Sequence, residues 1–359
     1  MNAKRVLIVA GGTGGHIFPA LAVADYLKCH QVTPYWLGSA HGMEGHLVPK
    51  HHIDLIKVAI GGVRGKGLLR WLLAPFAVVN ATFAAIIAIL RVKPGVVLGM
   101  GGFVSGPGGI AAWMCRKPLV IHEQNAVPGL TNRALRFIAT RVLVAYPDTF
   151  PENSKTTVTG NPVRAAILEV PAPDLRSHPS NVLRILVLGG SLGARALNRV
   201  VPAGLAQLHS RCCLEVRHQT GERDLGATTE AYQQHQLAAT TEAFIADMAT
   251  AYAWADVVIC RAGALTIAEL SAVGVPSILV PFPYAVDDHQ TVNAAYLKNK
   301  GAALTIREDD FSADSLVRAL RDITDDRPRM LEMARRARAA AYPSATTDVA
   351  QCCLALLNA

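Results

Sequence analysis

Apolar residues along the 359-residue chain come in short unbroken runs of strand type, with helix-like segments between most of them. The runs in the first half are RVLIVA (5–10), TPYWLG (33–38), DLIKVAI (54–60), GVVLGM (95–100), PLVIHE (118–123) and RVLVAY (141–146). Strands that are apolar on both faces belong to parallel sheets covered by helices on each side. After GNPVR (160–164) and the loop EVPAPDLRSHPSN (169–181), rich in Pro, Ser and Asp, the pattern restarts at LRILVLGGSLGARALN (183–198). It continues through CLEVRHQTG (213–221), ADVVICRAG (255–263) and PSILVPFP (276–283). This predicts an α/β protein of two doubly wound, Rossmann-like domains, residues 1–163 and 164–341. The helix ATTDVAQCCLALLNA (345–359) is expected to pack back on the first domain. The length suits two domains. Ligands of open α/β sheets bind beyond the carboxyl ends of the strands, so two such domains would face each other across a deep cleft.

One apolar stretch does not fit this rhythm. GLLRWLLAPFAVVNATFAAIIAIL (67–90) is long enough to span a bilayer. Its position between two strands of one sheet predicts instead a buried crossover helix over Val78 to Leu90. That leaves Trp71, Leu72 and Phe76 beside Arg64, Lys66 and Arg70, an apolar-aromatic and basic cluster suited to lying on an anionic lipid surface.

Composition narrows the partners. A net charge of +8 favours anions such as phosphates or acidic lipid, and no arginine-rich run or aromatic-basic stripe supports nucleic acid. Seven cysteines without a C-x-x-C pair read as reduced thiols of a cytosolic protein. MNAKRVLIVAGG runs straight into a strand, so no signal peptide is expected. His41, His46, His51 and His52 have no metal-ligand spacing.

Three glycine turns follow strands: Gly11–Gly15, GMGGFVSGPGG (99–109) and GGSLGA (189–194). Such turns open helices whose first N–H groups attract anions. Their number predicts two phosphorylated ligands, one per half. The first turn is not a dinucleotide fingerprint, because Ile17 takes the third small position and TPYWLG ends without an acidic residue. GGVRGKG (61–67) has the wrong spacing for a Walker loop, with Gly67 in the Ser/Thr position. In the second half, Arg261 precedes another strand-to-helix turn. Thr266 and Glu269 there fit either a helix capping box or a carboxylate that accepts ribose hydroxyls. Asp287, Asp288, His289, Gln290 and Asn293 form either an acidic helix start or a sugar-binding set.

GGTGGH, GGFVSGP, HEQNAVPG, GNPVR, GGSLGA, CRAGALTIAE and DDHQTVNA occur in the order found in the MurG family, which the chain resembles from about residue 5 to its C-terminus. Those bacterial glycosyltransferases add N-acetylglucosamine to lipid I, giving lipid II for peptidoglycan synthesis. The resemblance implies the glycosyltransferase B fold. It also implies UDP-N-acetylglucosamine held mainly by the second domain, and lipid I, undecaprenyl-diphosphate-MurNAc-pentapeptide, near the first. It further implies a peripheral location on the cytoplasmic face of the cell membrane, against its anionic inner surface, with cell-wall synthesis proteins as further partners. No metal or other cofactor is expected.

Carried over position by position, Thr13, Gly14 and Gly15 belong to the substrate site and Asn125 meets the donor sugar. Arg164 and Ser191 resemble diphosphate or nucleotide contacts, and Ile245 meets the uracil edge through its backbone. Ala264, Leu265, Thr266, Ile267, Ala268 and Glu269 hold diphosphate and ribose, and Gln290 the sugar. Phe103 stands where relatives often carry tyrosine, and His289 where many carry glutamine. His16 is the candidate general base for the acceptor's 4-hydroxyl, because histidine titrates nearest physiological pH. Glu123 is the rival, and a purely substrate-binding His16 is the alternative. A non-catalytic nucleotide-sugar sensor and a nucleotide-sugar epimerase remain open as other functions.

Overall fold

The computed structural model describes residues 4–39, 42–58, 67–151, 153–176, 182–190, 193–209 and 213–358, with residues 67–74 described by backbone alone. The chain divides into two compact units, Met1–Arg164 with Tyr342–Ala359, and Ala165–Ala341. Arg164 belongs to the first unit, one residue beyond the boundary expected from the sequence.

The first unit alternates β1 (Lys4–Val9), α1 (Gly14–Cys29), β2 (Val32–Ser39), α2 (Glu44–Lys50), β3 (Asp54–Val58), α3 (Gly67–Val92) and β4 (Val96–Gly99). It continues through α4 (Ser105–Met114), β5 (Leu119–Glu123), α5 (Leu130–Leu135), β6 (Arg141–Val144) and β7 (Thr156–Val158). The sheet is parallel, ordered β3-β2-β1-β4-β5-β6-β7, so the strand order reverses between β1 and β4. Alternate residues of β1 feed two cores. Val6 and Ile8 pack with Ile17, Ala20 and Ala24 of α1, while Leu7 and Val9 pack with Ala81, Ala85 and Ala88 of α3.

The second unit opens with α6 (Ala165–Leu168), β8 (Val182–Leu188), α7 (Arg195–His209), β9 (Cys213–Gln219), α8 (Leu225–Gln234), β10 (Thr240–Glu242) and α9 (Met248–Trp254). There follow β11 (Val257–Cys260), α10 (Ala264–Val273), β12 (Ser277–Leu279), α11 (His289–Asn299), β13 (Ala303–Thr305), α12 (Ala313–Thr324) and α13 (Arg327–Ala339). Its parallel sheet is ordered β10-β9-β8-β11-β12-β13 and reverses between β8 and β11. The chain then returns to the first unit, where α14 (Ala345–Asn358) packs on α1.

Three strands, β7, β10 and β13, escape the hydrophobic pattern. Each has three residues and lies at a sheet edge, too short for an apolar run.

The long apolar segment departs from expectation in a different way. It is one 26-residue helix, α3, which crosses from β3 to β4 of the same sheet as expected, but from Val78 to Leu90 only one of its faces is buried. Ala81, Ala85, Ala88 and Ile89 face the sheet, whereas Phe76 (73% exposed), Val79, Phe83 (64%), Ile87 (63%) and Leu90 face outward. The close approach of helix to sheet admits mostly alanine on the inner face, and the large apolar residues fall on the outer one. The window Pro75–Val92 is long and apolar enough to cross a membrane, yet belongs to this α/β unit. Arg64 and Lys66 lie outside the described residues, and the side chains of Arg70, Trp71 and Leu72 lie outside the description.

Candidate active site

The carboxyl ends of β1, β4 and β5 bring three loops together in the first unit, at the reversal where doubly wound sheets bind ligands. Thr13 is the N-cap of α1 in extended conformation, and its carbonyl accepts from His16 N–H and Ile17 N–H. Gly12 and Thr13 are exposed, while Gly14, Gly15 and His16 are half-buried. The turn is held from below by Glu44, a carboxylate with no exposure at the start of α2. Glu44 accepts from Gly12 N–H at 3.3 Å and from Ser39 N–H at 2.9 Å. A helix N-terminus favours a carboxylate there. Sequence reading missed this residue, since nothing local distinguishes it from a surface glutamate.

The second glycine turn has a role other than approach to a phosphate. Gly102 (φ 84°) lies so close that a Cβ there would sit 2.0 Å from the carbonyl oxygen of Gly11. A Cβ on Gly101 (φ 94°) would sit 2.5 Å from Nδ1 of His16. Glycine is needed at both positions because the second turn closes directly over the first. Phe103, just beyond, is exposed.

The β5 loop supplies the third wall. Glu123 is buried, and both its oxygens are engaged. Oε1 accepts from the backbone and side-chain N–H groups of Asn125, at 3.0 and 3.4 Å, and Oε2 from Gly129 N–H and Asn132 Nδ2. This carboxylate shapes the loop that presents Asn125. Its lone pairs are directed at its own loop, which weakens the case for it as a base. Gln124 bridges His16 and the β4 loop: Oε1 is 3.2 Å from His16 Nδ1, and Nε2 donates to Met100 O at 2.7 Å. His122, two residues before Gln124 and within β5, pairs through Nε2 with Gly160 O at 2.9 Å, and burial pushes its pKa down to about 4. Arg164 closes the unit with its guanidinium 4.9 Å from the ring centroid of Phe18 on α1.

In the second unit the loops after β8, β11 and β12 form the corresponding end. Ser191 lies outside the described residues. Gly263 is the N-cap of α10, so Thr266 and Glu269 lie inside the helix and the capping-box reading fails. Ala264 and Ile267 turn their side chains into the protein, while Leu265, Thr266 and Ala268 are half-buried. What the turn can offer an anion is therefore its backbone N–H groups. Glu269 is 5% exposed, and its Oε2 accepts from the fully buried Tyr252 hydroxyl at 3.0 Å.

Gln290 and Asn293 on α11 pin this turn from the side. Gln290 Oε1 accepts from Ala262 N–H (3.2 Å) and Phe282 N–H (3.0 Å), and Asn293 Nδ2 donates to Ala262 O. Asn293 is wholly buried, a support of the loop rather than a member of a sugar-binding set. Asp288 accepts from Thr291 Oγ1 and His289 Nδ1 donates to Val286 O, while the backbone of Asp287 (φ 53°) and Asp288 (φ 49°) is left-handed just before α11. Ile245 is buried, and its N–H donates to Oε1 of the buried Gln219 at 3.0 Å. A base edge reading that N–H would have to displace Gln219.

Among the described residues no group of three or more His, Cys, Asp or Glu gathers to hold a metal ion.

Two Rossmann-like units, each with loops gathered at its strand-order reversal, make up the glycosyltransferase B fold. The chain belongs to glycosyltransferase family 28: residues 6–144 match its N-terminal domain and 184–349 its C-terminal domain. It is 51% identical over 350 residues, 97% of the chain and 98% of the relative, to the "UDP-N-acetylglucosamine--N-acetylmuramyl-(pentapeptide) pyrophosphoryl-undecaprenol N-acetylglucosamine transferase" of Alkalilimnicola ehrlichii. The crystal structure of Acinetobacter baumannii MurG superimposes with a TM-score of 0.83 at 42% identity, covering 98% of this chain and 99% of that one. A UDP-N-acetylglucosamine 2-epimerase shares the fold alone, with TM-score 0.67 and 12% identity over 96% of this chain and 94% of that one.

Proposed function

We propose that the protein transfers N-acetylglucosamine from UDP-N-acetylglucosamine to the 4-hydroxyl of the N-acetylmuramic acid in lipid I, forming lipid II. The observation that carries this reading is close similarity to such transferases over nearly the whole chain, together with an imidazole at the strand-order reversal of the first unit. The acceptor oxygen O4 bonds to the anomeric carbon as its proton passes to the His16 imidazole. The bond from that carbon to the diphosphate breaks, and its electron pair leaves with UDP. Attack opposite the leaving group inverts the α-linked donor to a β(1→4) product. A sugar hydroxyl is a poor nucleophile at neutral pH, and a placed base contributes roughly 10²–10⁴ in rate. In the second unit, the N–H groups opening α10 take the diphosphate and the charge that grows on it. Glu269, oriented by Tyr252, accepts the ribose hydroxyls, and the amide group of Gln290 donates to the sugar.

The test is UDP release from UDP-N-acetylglucosamine with and without a short-tailed lipid I analogue. Release is expected only with the acceptor. Isomerisation of the donor sugar without any acceptor would instead identify an epimerase, and donor binding with no turnover a sensor.

We further propose peripheral attachment to the cytoplasmic face of the cell membrane. The acceptor's lipid tail stays in the bilayer, so the enzyme has to work at the headgroups. Support comes from the outward row Phe76, Val79, Phe83, Ile87 and Leu90 on α3, beside exposed Trp113 and Met114 at the end of the neighbouring α4. Arg64, Lys66, Arg70, Trp71 and Leu72 belong to the proposal on their residue types in the sequence alone. Attachment of this kind connects the activity with cell-wall growth, cell shape and division.

A further inference from the structure

A neutral imidazole accepts a proton only on the ring nitrogen that carries no hydrogen, so a histidine base works in one tautomer. At His16 the tautomer is decided by Gln124. Nδ1 of His16 lies 3.2 Å from Oε1 of Gln124. The other end of that amide determines which atom faces the ring: Nε2 donates to Met100 O at 2.7 Å. Turned over, the amide would set its oxygen against the Met100 carbonyl, two acceptors with no hydrogen between them. An amide oxygen can only accept, so Nδ1 of His16 carries the hydrogen. Gln124 is itself held rigidly. It is 2% exposed, and its backbone carbonyl accepts from Asn161 Nδ2 at 3.0 Å. Gly101 closes over the pair, where a Cβ would sit 2.5 Å from His16 Nδ1 and 3.2 Å from Gln124 Oε1.

We propose that Gln124 is a positioning residue for the transfer reaction, holding His16 as the Nδ1–H tautomer so that the Nε2 lone pair takes the proton of the acceptor hydroxyl. This rests on the reading of His16 as the base and adds the residue that keeps it competent. The proton goes from acceptor O4 to Nε2. Nδ1–H continues to donate to Gln124, and the amide neither gains nor loses a proton. A neutral partner orients the ring without the increase in basicity that a carboxylate would bring. Among the described residues, His122 on β5, buried and neutral at pH 7, interacts with His16, and the carboxylates of Glu44 on α2 and Glu123 at the end of β5 are engaged by other N–H groups.

The tautomer can be measured from nitrogen-15 spectra of the histidine side chains, with His16 assigned by the signals lost in His16→Ala. The wild type is expected to show Nδ1–H. Gln124→Met should shift His16 toward Nε2–H and lower kcat roughly 10- to 100-fold, with the KM for UDP-N-acetylglucosamine changed less than about twofold. Gln124→Glu should keep the tautomer and most of kcat, because as a carboxylic acid it can still accept from Nδ1–H and donate to Met100 O. Nε2–H in the wild type overturns the proposal. So does a change of tautomer in Gln124→Met that leaves kcat intact. If Gln124→Met does not fold, Nε2–H at His16 in Gln124→Glu overturns it. Full kcat in His16→Ala removes the base assignment and the proposal with it. An inactive His16→Ala beside a fully active Gln124→Met removes the proposal alone.

Discussion

At the residue scale, the two glutamates singled out by the sequence have different surroundings. Glu123 is engaged by four N–H groups of the following loop and α5, whereas Glu269 accepts from Tyr252 and lies in α10. Glu269→Ala should weaken UDP binding by roughly 1.5–3 kcal/mol, the cost of losing a charge-assisted contact. Calorimetry on the folded variant checks this, and unchanged UDP affinity would leave Glu269 a core residue of α10. His16→Ala should lower kcat by roughly 10²–10⁴ with donor affinity little changed. In steady-state kinetics, a raised acceptor KM at full kcat would make His16 a binding residue only.

At the scale of the element, α3 reverses the usual arrangement of an amphipathic helix. The residues facing the sheet are mostly alanine, whereas the large Phe76, Phe83, Ile87 and Leu90 face out. The two faces should therefore respond oppositely to substitution. Ala85→Leu forces a larger side chain against the sheet and should cost about 1–3 kcal/mol of stability, measured by denaturant unfolding. The double variant Phe83→Ser with Ile87→Ser should leave stability within about 1 kcal/mol, because exposed positions contribute little. It should nonetheless reduce co-sedimentation with vesicles of anionic lipid, while turnover of a short-tailed soluble acceptor persists. Undiminished vesicle binding would move the membrane contact away from this face.

Across the whole molecule, each unit buries an uncharged histidine. Burial holds His122 at about 4 in the first unit and His218 at about 3 in the second. The unfolded chain takes up these protons near pH 6.5, so the stability they confer is complete above about that pH. It is lost as the pH falls toward the folded values, by about 3 kcal/mol for His122 and about 5 kcal/mol for His218 at the acid end. Unfolding free energy should thus be flat in these groups above neutrality and fall between about pH 6.5 and 3, with the His122 part of the fall complete by about pH 4. His122→Gln, which can still donate to Gly160 O, should make that fall shallower by up to about 1.4 kcal/mol per pH unit. Denaturant titrations across that range measure it, and an unchanged slope would mean that His122 takes up no proton on unfolding.

The sequence by itself determined the two parallel-sheet units, because strands buried on both faces must be apolar at every position, and a run such as RVLIVA has that property locally. It also carried the glycine turns and the motifs that bear the family resemblance, since a tight strand-to-helix turn is written in adjacent residues. Tertiary structure alone decided what those residues do to one another. Gly102 needs its missing Cβ because of Gly11, 91 positions earlier in sequence but in direct contact through the fold. The tautomer of His16 depends on Gln124 and, through it, on Met100. Glu44, Tyr252 and Asn293 hold their loops from distant elements, and no short-range pattern marks them. The direction faced by α3 was likewise undecided in sequence, because a helix apolar on all sides carries no periodic signal, and only the alanines that fit against the sheet select its inner face.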